Sequence, residues 1–135
     1  MERTYSTPLI DKLGVKPGMR VAIVGPVDPD GWFHELLAER TDDVTDGEPL
    51  PDTHVVFLAA DSEAELDGLA GIRRRIRPNG AIWVISKKGR AATIRYADIL
   101  EAAQVSGLVD NKVASFSDTH TALRFVVRVE LRPRG

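Results

Sequence analysis

Three short apolar, β-prone runs constrain this chain most. Arg20 to Gly25 (RVAIVG), His54 to Ala60 (HVVFLAA) and Ala81 to Ile85 (AIWVI) show no regular polar alternation. A strand with one face in water alternates, whereas a strand buried on both faces does not. Each run therefore belongs inside a sheet that is covered above and below. Between the runs the period changes to that of a helix. Gly31 to Arg40 carries Trp32, Phe33, Leu36 and Leu37 as one apolar face. Ser62 to Glu65 is a capping box, S-x-x-E. The helix it opens gathers Leu66, Leu69, Ile72 and Ile76, until Pro78 stops it and Asn79-Gly80 turns the chain. Tyr96, Ile99, Leu100 and Ala103 mark a further amphipathic helix, closed by Gly107. Strands alternating with helices predict a mostly parallel sheet, right-handed crossovers and helices on both faces.

The rest of the chain fits around that frame. Ser6 to Leu13 reads as a short helix with Pro8 near its start and Gly14 just past its end, and Lys16-Pro17-Gly18 as a turn. Lys112 to Phe116 and Ala122 to Leu131 are strands joined through Ser117 to His120. The second alternates sharply, with Leu123, Phe125, Val127, Val129 and Leu131 set against Arg124, Arg128 and Glu130. It predicts a C-terminal antiparallel hairpin. Thr41 to Thr53 has Val44 and Leu50 as its only large apolar residues. It reads as a long, poorly packed loop with at most a vestigial edge strand.

A chain of 135 residues is enough for one domain with a real core. It has no cysteine, which excludes disulfides and thiolate chemistry. No stretch is apolar enough to span a membrane or to serve as a secretory signal, so a cytoplasmic protein is expected. The net charge of −2 conceals a segregation. From Asp28 to Asp67 the chain is rich in acids and Arg40 is its only Arg or Lys, whereas Arg73 to Arg95 holds eight Arg or Lys and no acid. The two blocks are expected to neutralise each other in the fold.

Two stretches resemble known proteins. LGVKPGMRVAIVG resembles the approach to the first strand of class I S-adenosylmethionine-dependent methyltransferases, and LAGIRRRIRPNGAIWVIS resembles their later helix-turn-strand. STPLIDKLGVKPGMRVAIVGP together with GLVDNKVASFSDTHTALRFVVR resembles a bacterial family catalogued only as a domain of unknown function, whose members look like shortened methyltransferase domains. The resemblance covers nearly the whole chain. It implies an α/β, Rossmann-like three-layer sandwich, a reduced methyltransferase fold, with residues 1–135 as a single domain. The implied strand order is first buried run, second, third, last strand, and the penultimate strand at the edge. No activity comes with the resemblance.

The departures from the enzymes concern the cofactor. Methyltransferases place G-x-G after the first strand so that backbone can approach the cofactor closely. Here the loop is Gly25-Pro26-Val27-Asp28-Pro29-Asp30-Gly31. Pro26 and Pro29 remove two amide donors, and Asp28 and Asp30 would repel the methionine carboxylate, though they could face its ammonium. The enzymes also need an acid after a second strand to hold the ribose hydroxyls. Asp42, Asp43 and Asp46 lie at about the right distance, but no apolar strand precedes them. The enzymes' second and third strands are expected to be missing, and VAIVGP reads as a core strand ending in a turn.

Strand C-terminal ends form the ligand crevice of open α/β sheets. The candidate ligand residues there are Gly25, Asp28, Asp61, Lys87, Lys88 and Arg90. Asp110, Asn111 and Lys112 form a second candidate, specific to the family, which also reads as turn chemistry between a helix and a strand. His34, His54 and His120 show no metal-ligand spacing and read as structural or solvated, so no metal site and no catalytic residue is assigned. The basic run Arg73 to Arg77 lacks an aromatic platform, so nucleic acid is not an expected partner. The expected function is that of a non-catalytic binding or interaction protein on a degenerate methyltransferase scaffold. It would use no cofactor and have a small anion or a protein as partner. One alternative is an S-adenosylmethionine-dependent methyltransferase whose site is completed by a partner or second subunit. Another is an anion-binding module using Lys87, Lys88 and Arg90.

Overall fold

Each unalternating run forms a strand in the computed structural model, which describes residues 8–132. In chain order the elements are α1 (Leu9–Lys12), β1 (Val21–Val24), α2 (Trp32–Ala38), β2 (Val44–Asp46), β3 (Thr53–Ala59), α3 (Glu63–Leu66), α4 (Leu69–Arg73), β4 (Ile76–Lys87), α5 (Tyr96–Val105), β5 (Leu108–Ser115) and β6 (His120–Val127). The sheet order is β2-β1-β3-β4-β6-β5. The first four strands in that order run parallel, while β6 is antiparallel to both β4 and β5. Val21, Val55 and Ala81 lie side by side across β1, β3 and β4, and Ala81 faces Val126 of β6. The expected order of the buried strands is present, and a three-residue edge strand, β2, lies beside β1.

The pleat sends alternate side chains into two cores. On one side Ile82, Val84, Leu123, Phe125 and Val127 meet Leu66, Leu69 and Ile72 of α3 and α4 and Ile99 of α5. On the other, Ile23, Phe57, Trp83 and Ile85 meet Ile10 and Leu13 of the α1 segment and Phe33 and Leu37 of α2. Fully burying each such side chain stabilises the fold by about 1.5–3 kcal/mol relative to exposure. The Trp83 indole is fully buried, and its N–H donates to the Leu13 carbonyl at 3.1 Å, so the α1 segment supplies the partner that a buried indole needs. Phe33 contacts the Phe57 and Phe116 rings edge-on, at 4.8 and 4.9 Å.

Five expectations need correction. The long helix after Ser62 is two short ones, broken at Asp67-Gly68. Leu66, Leu69, Ile72 and Ile76 are all buried in one core, but Ile76 gets there from β4, paired beside Thr53. The capping box is modified as well: Ser62 Oγ accepts from the Glu65 amide, while the Glu65 carboxylate accepts from the amide of Asp61. The N-terminal helix is confined to Leu9–Lys12 in the described part; Ser6 and Thr7 lie outside the described residues. The last strand runs from His120 to Val127 and not to Leu131. Its partners end there, at Val126 against Ala81 and Val127 against Leu108. Val129 and Leu131 leave the sheet in an exposed 3-10 turn. Finally, Thr41 to Thr53 contains β2, in register with β1 at Val21↔Val44 and Ile23↔Asp46. Thr41, Pro49 and Thr53 are buried, so most of this segment is anchored.

Gly80 is at a close approach rather than merely in a turn. A Cβ there would lie 2.8 Å from the His54 carbonyl oxygen and 3.1 Å from that of Arg77. Both are backbone atoms, so only glycine lets β4 pass beside the start of β3.

Candidate functional site

The carboxyl ends of β1 to β4 open at one end of the sheet. The strand order reverses between β1 and β3, the place where open α/β sheets take ligands. The loop after β1 is held there by the chain's own contacts. Gly25 follows β1 with φ +88°, and a Cβ on it would lie 3.2 Å from the Ala59 Cβ. Its close approach is therefore to β3. The Val27 amide then donates to the Gly25 carbonyl at 2.9 Å, folding the loop tightly around Pro26.

Asp28 is buried, at 5% exposure. Its Oδ2 accepts from the amides of Phe33 and His34, both at 2.8 Å, and so satisfies two of the open donors at the start of α2. The same oxygen lies 2.8 Å from His34 Nδ1, and His34 Nε2 lies 2.6 Å from Oδ1 of Asp46. A neutral imidazole donates from only one nitrogen, whereas an imidazolium donates from both. With a carboxylate at each nitrogen, the geometry asks for the charged form. The hydrogen bond to Asp46 and then that to Asp28 hold His34 above the ordinary imidazole range of 6.5, against a smaller desolvation effect. The bridge Asp28–His34–Asp46 thus ties the loop after β1 to the end of β2.

The far half of the crevice is organised by Asp61. Its amide donates to Glu65 Oε1 at 2.7 Å, its Oδ1 accepts from the Lys87 amide at 2.9 Å, and its carbonyl accepts from the Thr93 hydroxyl. It fastens β3, β4 and the loop after β4 together. Lys87 and Lys88 both line a cavity of about 240 Å³ with Ser86, Ile94, Tyr96 and Leu123. Arg90 is exposed in a 3-10 turn and does not line it. A second cavity, of about 300 Å³, is lined by Val24, Leu58, Pro49, Gly68 at the start of α4 and Gly71 within it, and by Glu48 and Arg75, which pair at 3.1 Å. Neither of these two cavities is lined by Gly25, Asp28, His34 or Asp46.

The second candidate set is dispersed. Asp110, Asn111 and Lys112 lie in edge strand β5, not in a turn. Pairing jumps from Asp110↔Phe125 to Lys112↔Arg124, which makes Asn111 the extra residue of a β-bulge. Arg124 donates to Asn111 Oδ1 at 3.2 Å, and Lys112 Nζ donates to the Lys12 carbonyl at the end of α1 at 2.8 Å. Two of the three residues are spoken for by structure. Among the described residues no group of three or more His, Asp or Glu is placed to hold a metal ion, and no helix is long and apolar enough to cross a membrane.

The sequence places Asp28, Asp61, Lys87 and Lys88 near the crevice. It does not reveal that His34 joins them, and it leaves Ser86 and Tyr96 unassigned. A signal exists for His34. A histidine three residues into a helix that follows an aspartate-rich loop is within reach of that loop's carboxylates.

Residues 11–129 match the model of DUF3052, described as a protein of unknown function. The chain belongs to DUF3052. No curated protein matches its sequence. Among solved structures, this DUF3052 chain is similar to a SAM-dependent methyltransferase from Aquifex aeolicus, with a TM-score of 0.67, 16% identity and 88% of each chain covered. It is also similar to a TehB-like SAM-dependent methyltransferase from Corynebacterium glutamicum, with a TM-score of 0.61, 16% identity, and 89% of this chain and 85% of that one covered. At such identity the likeness is one of fold. This DUF3052 protein is a methyltransferase-like α/β domain of unknown function.

Proposed function

We propose that this DUF3052 chain is a non-catalytic binding protein, built on a methyltransferase-like scaffold whose loop after β1 is pinned to the end of β2 by its own side chains. The observation that carries this reading is the Asp28–His34–Asp46 bridge. The similar solved structures are named for their dependence on S-adenosylmethionine, and the residues present here do not fit that cofactor. The imidazole of His34 spans the space between the loop after β1 and the acid at the end of β2. Asp28 is buried as a helix cap, with its carboxylate already accepting two amides. Gly25 is pressed against Ala59, and Pro26 and Pro29 offer no amide donor.

One observation favours a second reading, a methyltransferase completed by a partner. Asp46 stands at the end of β2, where such an enzyme holds ribose, and it is exposed. Calorimetry with S-adenosylmethionine and S-adenosylhomocysteine separates the two. The binding-protein reading expects no heat from either ligand with the wild type. A low-micromolar dissociation constant overturns it and promotes the second reading. If binding appears only in His34→Ala, the crevice is a former cofactor site that the bridge has shut.

A further inference from the structure

At the carboxyl end of β4, on the face covered by α5, a row of hydroxyls crosses three strands. Ser86 is paired with Thr121 of β6, and Thr121 is paired with Ser115 of β5. Paired residues share a face of the sheet. Ser86 follows Ile82 and Val84 by the strand period, and both of those lie in the core beneath α5. Ser86 is 7% exposed. Among the described residues its hydroxyl has no hydrogen-bond partner, although buried polar groups almost always have one, and the hydroxyl of the half-buried Thr121 has none either. Ser115 differs, because its hydroxyl donates to the Ser117 carbonyl at 3.1 Å and accepts from Lys88 Nζ at 2.9 Å.

Ser86 and Thr121 line the cavity of about 240 Å³ at the end of β4. Its apolar wall is Ile94, Ile99 and Leu123, the half-exposed Tyr96 stands at its side, and Lys88 brings it positive charge; Lys87 borders it too, but one step along the strand from Ser86 its side chain leaves from the opposite face. Asp61, the acid next to this region, has its carboxylate turned to the Lys87 amide and does not line the cavity. Two unpartnered hydroxyls, the Lys88 ammonium and an apolar wall form a complementary set. The hydroxyls donate to an oxyanion, Lys88 balances its charge, and the wall holds an apolar body.

We propose that this cavity binds a small molecule made of one apolar ring and one oxyanion, a carboxylate or a phosphate. The proposal rests on the binding-protein reading, but its test is separate, so failure here leaves the S-adenosylmethionine result untouched. The probes are phenyl phosphate, benzoate and inorganic phosphate, titrated into the full chain by calorimetry and by amide chemical-shift mapping. At least one ring compound is expected to bind saturably, moving the amides of Ser86, Ile99 and Thr121. Inorganic phosphate, which lacks the ring, should bind at least about tenfold more weakly than phenyl phosphate. If phenyl phosphate is preferred, the natural oxyanion is a phosphate; if benzoate is preferred, it is a carboxylate. Lys88→Gln should weaken binding about tenfold, and Ser86→Ala by several-fold. Absence of saturable binding by both ring compounds overturns the proposal. So do shifts that map elsewhere, affinity unchanged in the variants, or inorganic phosphate binding as tightly as phenyl phosphate.

Discussion

His34 shows how much one side chain decides at the residue scale. Its two carboxylate partners raise its affinity for a proton in the folded state above the unfolded value of 6.5. A raised folded-state value means that the stabilisation is full below the unfolded value and fades as pH rises through the folded one. The expected outcome is a difference in urea midpoint between wild type and His34→Gln that is largest near about pH 5.5 and small near about pH 8.5. A difference that does not vary with pH would mean that the imidazole is neutral in the bridge. Gly80 supports a second prediction. An alanine there must push against two backbone carbonyls, so Gly80→Ala should cost on the order of 1–3 kcal/mol, as overpacking does. A denaturation midpoint equal to the wild type's would show that β3 and β4 can part at little cost. Neither role is fully legible in the sequence. Asp28 reads as an acid facing a ligand because its burial depends on how the loop turns through Pro29 to Gly31. The partnership of His34 with Asp46 depends on β2, which has a single large apolar residue to announce it.

At the element scale, legibility tracks burial. Strands buried on both faces are plain in the sequence, because a run such as VAIV has few other uses. The elements that escape notice lie at the margins. Strand β2 is three residues long and is held by backbone: the Val21 amide donates to the Asp43 carbonyl at 2.9 Å, and the Gly47 amide to the Ile23 carbonyl at 2.7 Å. Backbone hydrogen bonds leave no mark on composition. The bulge at Asn111 is hidden for a related reason. It adds a residue without disturbing the polar character of an exposed edge, and together with Lys112 it blunts that edge against pairing with another sheet. The β2 segment gives a direct test by amide exchange. Gly47 should exchange slowly, together with Val21, whereas Glu48, Leu50 and Asp52, whose amides have no partner among the described residues, should exchange fast. Uniformly fast exchange from Thr41 to Thr53 would return the segment to the loop that its composition suggests. Among the described residues a single ion pair joins the acidic to the basic stretch, Glu48 with Arg75.

For the whole molecule the decisive feature is the position of β6. The last strand of the sheet in sequence is not at an edge: it enters between β4 and β5 and pairs with both along most of its length. The fold therefore cannot close until the chain is nearly complete, and β4, β5 and α5 depend on β6 for a wall. Phe125 sits at its centre, fully buried and paired with Ile82 on one side and Asp110 on the other. Phe125→Ala should cost about 3–5 kcal/mol, the range for a buried aromatic cut back to a cavity. That is a large share of a typical domain's stability. His120, at the start of the same strand, contacts Thr119 at 2.7 Å and is only half-buried, so His120→Ala should cost no more than about 0.5 kcal/mol. Trimming distinguishes the strand from the tail beyond it. A chain ending at Val127 loses the exposed Val129 and Leu131 and the backbone bond from the Arg128 amide to the Gly107 carbonyl, and should stay folded and monodisperse. A chain ending at Thr119 loses the strand that joins two halves of the sheet. It should show no cooperative unfolding by circular dichroism. If that shorter chain unfolded cooperatively, or if Phe125→Ala proved as mild as His120→Ala, β6 would be an addition to a sheet that is complete without it.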